Sequence, residues 1–131
     1  MLTSRAPGRQ RKGEAMFTAY VTVTVLTVLA NAVIAAADFA RARFVLANMA
    51  EVGVQRAWLP WLGVLKAAGA AGLLLGLMGV PVIGVAAATG LVLFFAGAVA
   101  VHLRARVLHN IAVPGAYLGL AIASLVLAVA R

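Results

Sequence analysis

The chain has 131 residues, 65% of them hydrophobic and 11% charged, with a formal net charge of +8. A soluble domain carries about 25% charged residues, so this chain cannot clothe a water-facing surface; it belongs in a membrane, with no length to spare for a soluble catalytic domain or a nucleotide-binding sheet. It has no cysteine, which excludes disulfides, thiolate zinc sites and iron–sulfur clusters built from its own side chains.

Residues 1–15 carry Arg5, Arg9, Arg11 and Lys12 among Gly, Pro and Ser with no apolar period, the composition of a disordered basic tail. Met16 stands immediately before the first apolar stretch and is an alternative start. The remaining basic residues, Lys66 apart, also flank apolar runs, the pattern of membrane anchoring and orientation rather than of nucleic-acid binding. A crossing needs about 20 apolar residues, and four such stretches fit. The first runs from about Phe17 to Ala37. Residues 38–58 are too polar to cross. Phe39, Ala42, Leu46 and Met49 follow helical spacing there, with Arg41, Asn48 and Glu51 elsewhere on the wheel and Gly53 as a C-cap, which predicts a helix lying along the headgroups. Trp58 and Trp61 bracket Pro60 and suit the lipid–water boundary. The second span covers about Pro60–Gly79 and the third Pro81–Val101. Gly79 can end one helix in a left-handed conformation and Pro81 can open the next, giving a tight hairpin. After a basic loop holding His102, Arg104, Arg106 and His109, the fourth span covers about Ile111–Ala130. The predicted fold is all-α, a four-transmembrane-helix bundle with an interfacial helix between spans one and two, residues 16–131 forming one domain.

Helices in lipid associate through small residues that let backbones approach. The second span carries Gly69, Gly72, Gly76 and Gly79 on one side, and the fourth carries Gly115, Gly119 and Ala123 four apart. Packing inside a single bundle accounts for both stripes; homodimerisation through the fourth span is the alternative. Asn31 and Lys66 each lie about 9–10 Å inside their spans by helical rise. Consecutive spans run antiparallel, so both approach the face where Asp38 ends the first span and His102 ends the third. Asn31, Asp38, Lys66 and His102 are therefore the candidate polar pocket. A lysine at mid-membrane costs about 2.5–3.5 kcal/mol on the insertion scale. Lys66 either snorkels to the near face or pairs with Asp38 inside the bundle. For Asn31 alone a hydrogen bond between helices is expected, and for Thr18 and Thr22 bonds back to their own helix. His102 and His109 lie near arginines that disfavour a bound cation, so no metal site is assigned. Ser124 has no acid or histidine at its depth, and no catalytic residue is assigned either.

The stretch beginning Ala37-Asp38-Phe39, the run Leu59-Pro60-Trp61-Leu62-Gly63-Val64-Leu65-Lys66, the following Gly69-Ala70-Ala71-Gly72-Leu73-Leu74-Leu75-Gly76 and Val101-His102-Leu103-Arg104 together resemble the DoxX-like family of small four-helix bacterial membrane proteins. The likeness extends from about Met16 to the C-terminus. It implies a compact bundle in the bacterial cytoplasmic (inner) membrane. The broader family includes a subunit of thiosulfate:quinone oxidoreductase and membrane partners of redox enzymes. Asp38, Lys66 and His102 match the recurring polar points of the family, and Lys66 stands where a carboxylate would be expected. The expected role is a non-catalytic membrane subunit or scaffold associated with a redox enzyme, without a resident cofactor. The alternative is a subunit that binds quinone or another small molecule; a transporter or channel is a third reading, which four helices in one chain support poorly. The lipid bilayer and a redox-enzyme partner are the expected partners, with a second copy of the chain, through the fourth span, as the alternative, and both termini are expected in the cytoplasm.

Overall fold

The computed structural model describes residues 7–130, all its regular elements being helical: α1 Pro7–Phe39, α2 Arg43–Val52, a 3-10 turn Arg56–Trp58, α3 Leu59–Leu77, α4 Pro81–Arg104 and α5 Ala112–Ala130. Four of these are long and apolar enough to cross a membrane, and the protein is a multi-pass membrane protein with both ends of the described chain on one side. Residues 1–6 of the basic tail, with Arg5, lie outside the described residues, as does Arg131.

Residues 7–15 correct the expectation of disorder, because α1 already begins at Pro7. Proline suits a first helical turn, and Gln10, Arg11, Lys12, Glu14 and Ala15 are good helix formers. The apolar span supplies the nucleus, so each added residue extends a helix already formed. At 33 residues, α1 is longer than the hydrocarbon it crosses.

The spans form a ring in which α1 packs on α3 and α5, and α4 packs on the same two. Glycine sets the tightest of these contacts. A Cβ at Gly69 would lie 2.5 Å from the Leu91 side chain, one at Gly72 2.5 Å from Ala87 Cβ, and one at Gly76 2.7 Å from Gly84 Cα. The α3 stripe therefore seats α4. The stripe on α5 behaves differently from the expectation of packing within the bundle: Gly115 and Gly119 are exposed, and a Cβ at either would meet nothing within 4 Å. The core of α5 is made instead by Ala121, which joins Leu73, Ala88, Leu91 and Phe95.

Helix α1 is amphipathic in reverse. Tyr20, Thr24, Thr27, Asn31, Ala35 and Asp38 are buried, at spacings of three and four, while Leu26, Leu29 and Val33 face outward. Thr18 and Thr22 are exposed. Lipid is as apolar as leucine, so sorting follows polarity, and polar side chains take the interior where partners exist. The expected hairpin forms with Gly79 at φ 110° and Pro81 opening α4. Gly53 ends α2 at φ 77°. Two further helix ends place arginine in the left-handed region, Arg41 at φ 54° after α1 and Arg106 at φ 58° after α4. In both cases the next N–H reaches back five residues, Ala42 to Ala37 O at 3.0 Å and Val107 to His102 O at 2.9 Å, which closes a Schellman cap.

Candidate functional site: a cavity at the α2 end of the bundle

Asp38 sits in the last turn of α1 and Lys66 in the second turn of α3. Gly63, one turn before Lys66, lets the two helices meet there, since a Cβ on it would lie 3.2 Å from Asp38 Cβ and 3.0 Å from the Phe39 ring. Lys66 Nζ then donates to Asp38 Oδ2 at 2.8 Å. The ammonium also stands 5.4 Å from the centroid of Phe94. The lysine side chain keeps 11% of its surface accessible and the aspartate 1%, so the cation is the member of the pair that the surroundings can reach. Asp38 Oδ1 is buried without a partner among the described residues.

The second polar cluster is built from α2, the end of α4 and the segment before α5. His102 Nδ1 lies 2.8 Å from Ala98 O, which makes it the donor, and Nε2 lies 3.0 Å from Asn48 Oδ1. Asn110 Nδ2 donates to the same Asn48 Oδ1 at 2.8 Å, and Asn110 Oδ1 is left without a partner. The network closes once both amides turn over: Asn48 Nδ2 then donates to His102 Nε2 and to Asn110 Oδ1. Either way Asn48 ties α2 to the bundle. This corrects the wheel drawn from sequence, which left Asn48 off the packed face. The buried face of α2 is Val45 and Met49, set against Leu59, whereas Phe39 is exposed and belongs to α1.

Between these clusters lies a cavity of about 570 Å³, within the range of small-molecule sites. Asp38, Lys66, Asn48, His102 and Asn110 line its polar end, residues of α2 roof it, and Phe94, Phe95 and Tyr117 line its apolar part. Phe94 precedes His102 by two helical turns and so lies about 12 Å deeper than the histidine, close to the level that the Lys66 ammonium reaches. The aromatic wall is interlocked, with Phe94 and Phe95 edge to face at 5.0 Å between centroids and Tyr117 at 5.2 Å from Phe95. Tyr117 Oη donates to Ala30 O at 3.0 Å.

Of the four polar residues expected to converge, Asp38, Lys66 and His102 line this cavity and Asn31 does not. Asn31 is fully buried and donates to Thr27 O of its own helix at 2.9 Å, not across to a neighbouring helix. Bonds between helices near that depth are made by Thr27 and Ser124, whose hydroxyls are 2.8 Å apart, and by Tyr117 to Ala30 O. His109 faces Glu51 at 3.2 Å on the exposed surface. Asn110, Phe94 and Tyr117 were not singled out from the sequence. For α2 a signal existed, since Val45, Asn48, Met49 and Val52 fall at helical spacing.

Fold and site thus define a small multi-pass membrane protein with a ligand-sized cavity at one end of a four-helix ring. The model of the DoxX-like family matches residues 22–124, and the chain belongs to that family. No curated protein and no solved structure gives a match.

Proposed function

We propose that the protein is a non-catalytic membrane subunit that holds a small amphipathic molecule in the α2-end cavity, in association with a redox enzyme of the bacterial cytoplasmic membrane. The observation that supports this is the cavity itself, apolar over most of its wall and charged at one end by the Lys66–Asp38 pair. A buried ion pair is poor value as a stabiliser, and ionisable groups inside membrane proteins mark ligand and ion pathways more often than they mark packing. The redox association rests on the family resemblance, which also makes a quinone the alternative occupant. Mass spectrometry of small molecules that co-purify with the chain in mild detergent tests the binding role. Gly97 lines the cavity, and a Cβ added to it would meet nothing within 4 Å, so Gly97→Phe should obstruct the site and leave the bundle folded. Loss of a co-purifying species in that variant supports the reading; the same species at the same occupancy in both proteins overturns it.

A further inference from the structure

Resting on that binding role, we infer that the occupant is an anionic amphiphile: an alkyl chain in the aromatic part of the cavity and a carboxylate or phosphate at the Lys66 end. Three observations converge on this class. The first is donor supply. An ammonium has three N–H groups, and among the described residues Asp38 is the one acceptor that Lys66 reaches. Beyond the bond to Asp38 its remaining N–H groups have only the Phe94 ring beside them, a weaker partner than an anionic oxygen.

The second is the sign of the charge that a ligand meets. Lys66 and Asp38 cancel formally, but the residual accessibility lies with the lysine and the aspartate is shut away. Around the same end of the bundle, Arg41, Arg43, Arg56, Arg104 and Arg106 are all exposed, against Glu51 as the acidic residue, itself engaged by His109. A cationic head would be repelled by this rim, and a neutral head would leave the ammonium with no charged counterpart beyond Asp38.

The third is the gradient along the cavity. Asp38, His102, Asn48 and Asn110 stand where α1 and α4 end and α2 lies along the bundle, whereas Lys66 lies deeper, its ammonium 5.4 Å from the Phe94 ring, so the cation stands where the polar lining gives way to the aromatic wall. A chain entering beside lipid acyl tails keeps its own tail in hydrocarbon and its head turned toward the headgroups, at the depth of Lys66. No reorientation in the bilayer is needed.

The test uses the full chain in phosphatidylcholine nanodiscs and three probes with one photoactivatable hexadecyl chain, ending in a carboxylate, an alcohol or an amine. Crosslinks are mapped to the segments around Phe94 and Tyr117. The acid should label them about tenfold more than the alcohol, the difference that one charge-assisted hydrogen bond makes, and the amine should label them least. Equal labelling by acid and alcohol overturns the anionic class while leaving the binding role intact; no labelling of these segments by any probe overturns both. A fourth probe, phosphatidylglycerol carrying the same photoactivatable chain, separates sources: labelling by it supports a bilayer lipid as occupant, and labelling by the free acid alone supports a free amphiphile. In a variant carrying Lys66→Met and Asp38→Asn together, the acid's advantage should vanish while alcohol labelling persists. Retention of that advantage would overturn the role given to Lys66.

Discussion

Gly76 and Gly84 face each other across the α3–α4 contact so closely that a Cβ on the first would lie 2.7 Å from Cα of the second. Backbone cannot move aside as a flexible side chain can, so Gly76→Leu should part the two helices. Overpacking of a tight interior costs about 1–3 kcal/mol. Gly119→Leu projects into open space and should leave the melting temperature of the monomer in detergent close to that of the parent. Equal losses for the two substitutions would mean that α5 packs in a way that the single-chain ring does not contain.

The Lys66–Asp38 pair should show strong energetic coupling. Removing one partner strands a buried charge, at about 3–5 kcal/mol. Replacing both, as Lys66→Met with Asp38→Asn, strands none. The double variant is therefore expected to melt higher than Lys66→Met or Asp38→Ala alone. Additivity within about 0.3–0.5 kcal/mol in a double-mutant cycle would make Lys66 a snorkelling residue.

Asn48 is the polar tie between α2 and the spans, through His102 and Asn110. Asn48→Ala should cost about 1–3 kcal/mol, because it leaves buried polar groups without a partner. The loss should be local. Hydrogen exchange is expected to rise across residues 43–52 while the protection of α3 stays unchanged. Uniform deprotection of all helices would show that α2 is part of the cooperative unit and not a roof over it.

The absence of native cysteine makes orientation directly measurable. With the N-terminal end in the cytoplasm, single cysteines at Arg43 and Arg106 should react with an impermeant thiol reagent added to intact cells, and one at Arg11 should not. The reverse pattern would invert the protein in the bilayer.

The architecture was legible because each span announces itself by length and apolarity, and because Gly53, Gly79 and Pro81 mark turns that only certain backbone conformations satisfy. The Asp38–Lys66 encounter could be anticipated from helical rise in antiparallel neighbours. The rest of the cavity could not. Phe94 and Tyr117 look like any apolar residue of a span, and their inward direction depends on which neighbours α4 and α5 choose in the ring. Asn48 was misread because the α2 wheel was anchored on Phe39, a residue that belongs to the preceding helix. The small stripe of α5 shows the limit of a motif: spacing places Gly115 and Gly119 on one face without saying which surface that face meets.

One consequence follows from the length of α1. Its 33 residues measure about 50 Å against roughly 30 Å of hydrocarbon, and Asp38 fixes the far end at headgroup depth. The turns holding Arg9, Arg11 and Lys12 therefore stand clear of the bilayer as a stiff post, not as a tether. A partner that grips this post meets three cations already held in one geometry and loses little chain entropy in ordering them. The post also transmits direction. Whatever binds at its tip is held at a set height and angle above the membrane, in register with the bundle, where a flexible tail would have let it drift.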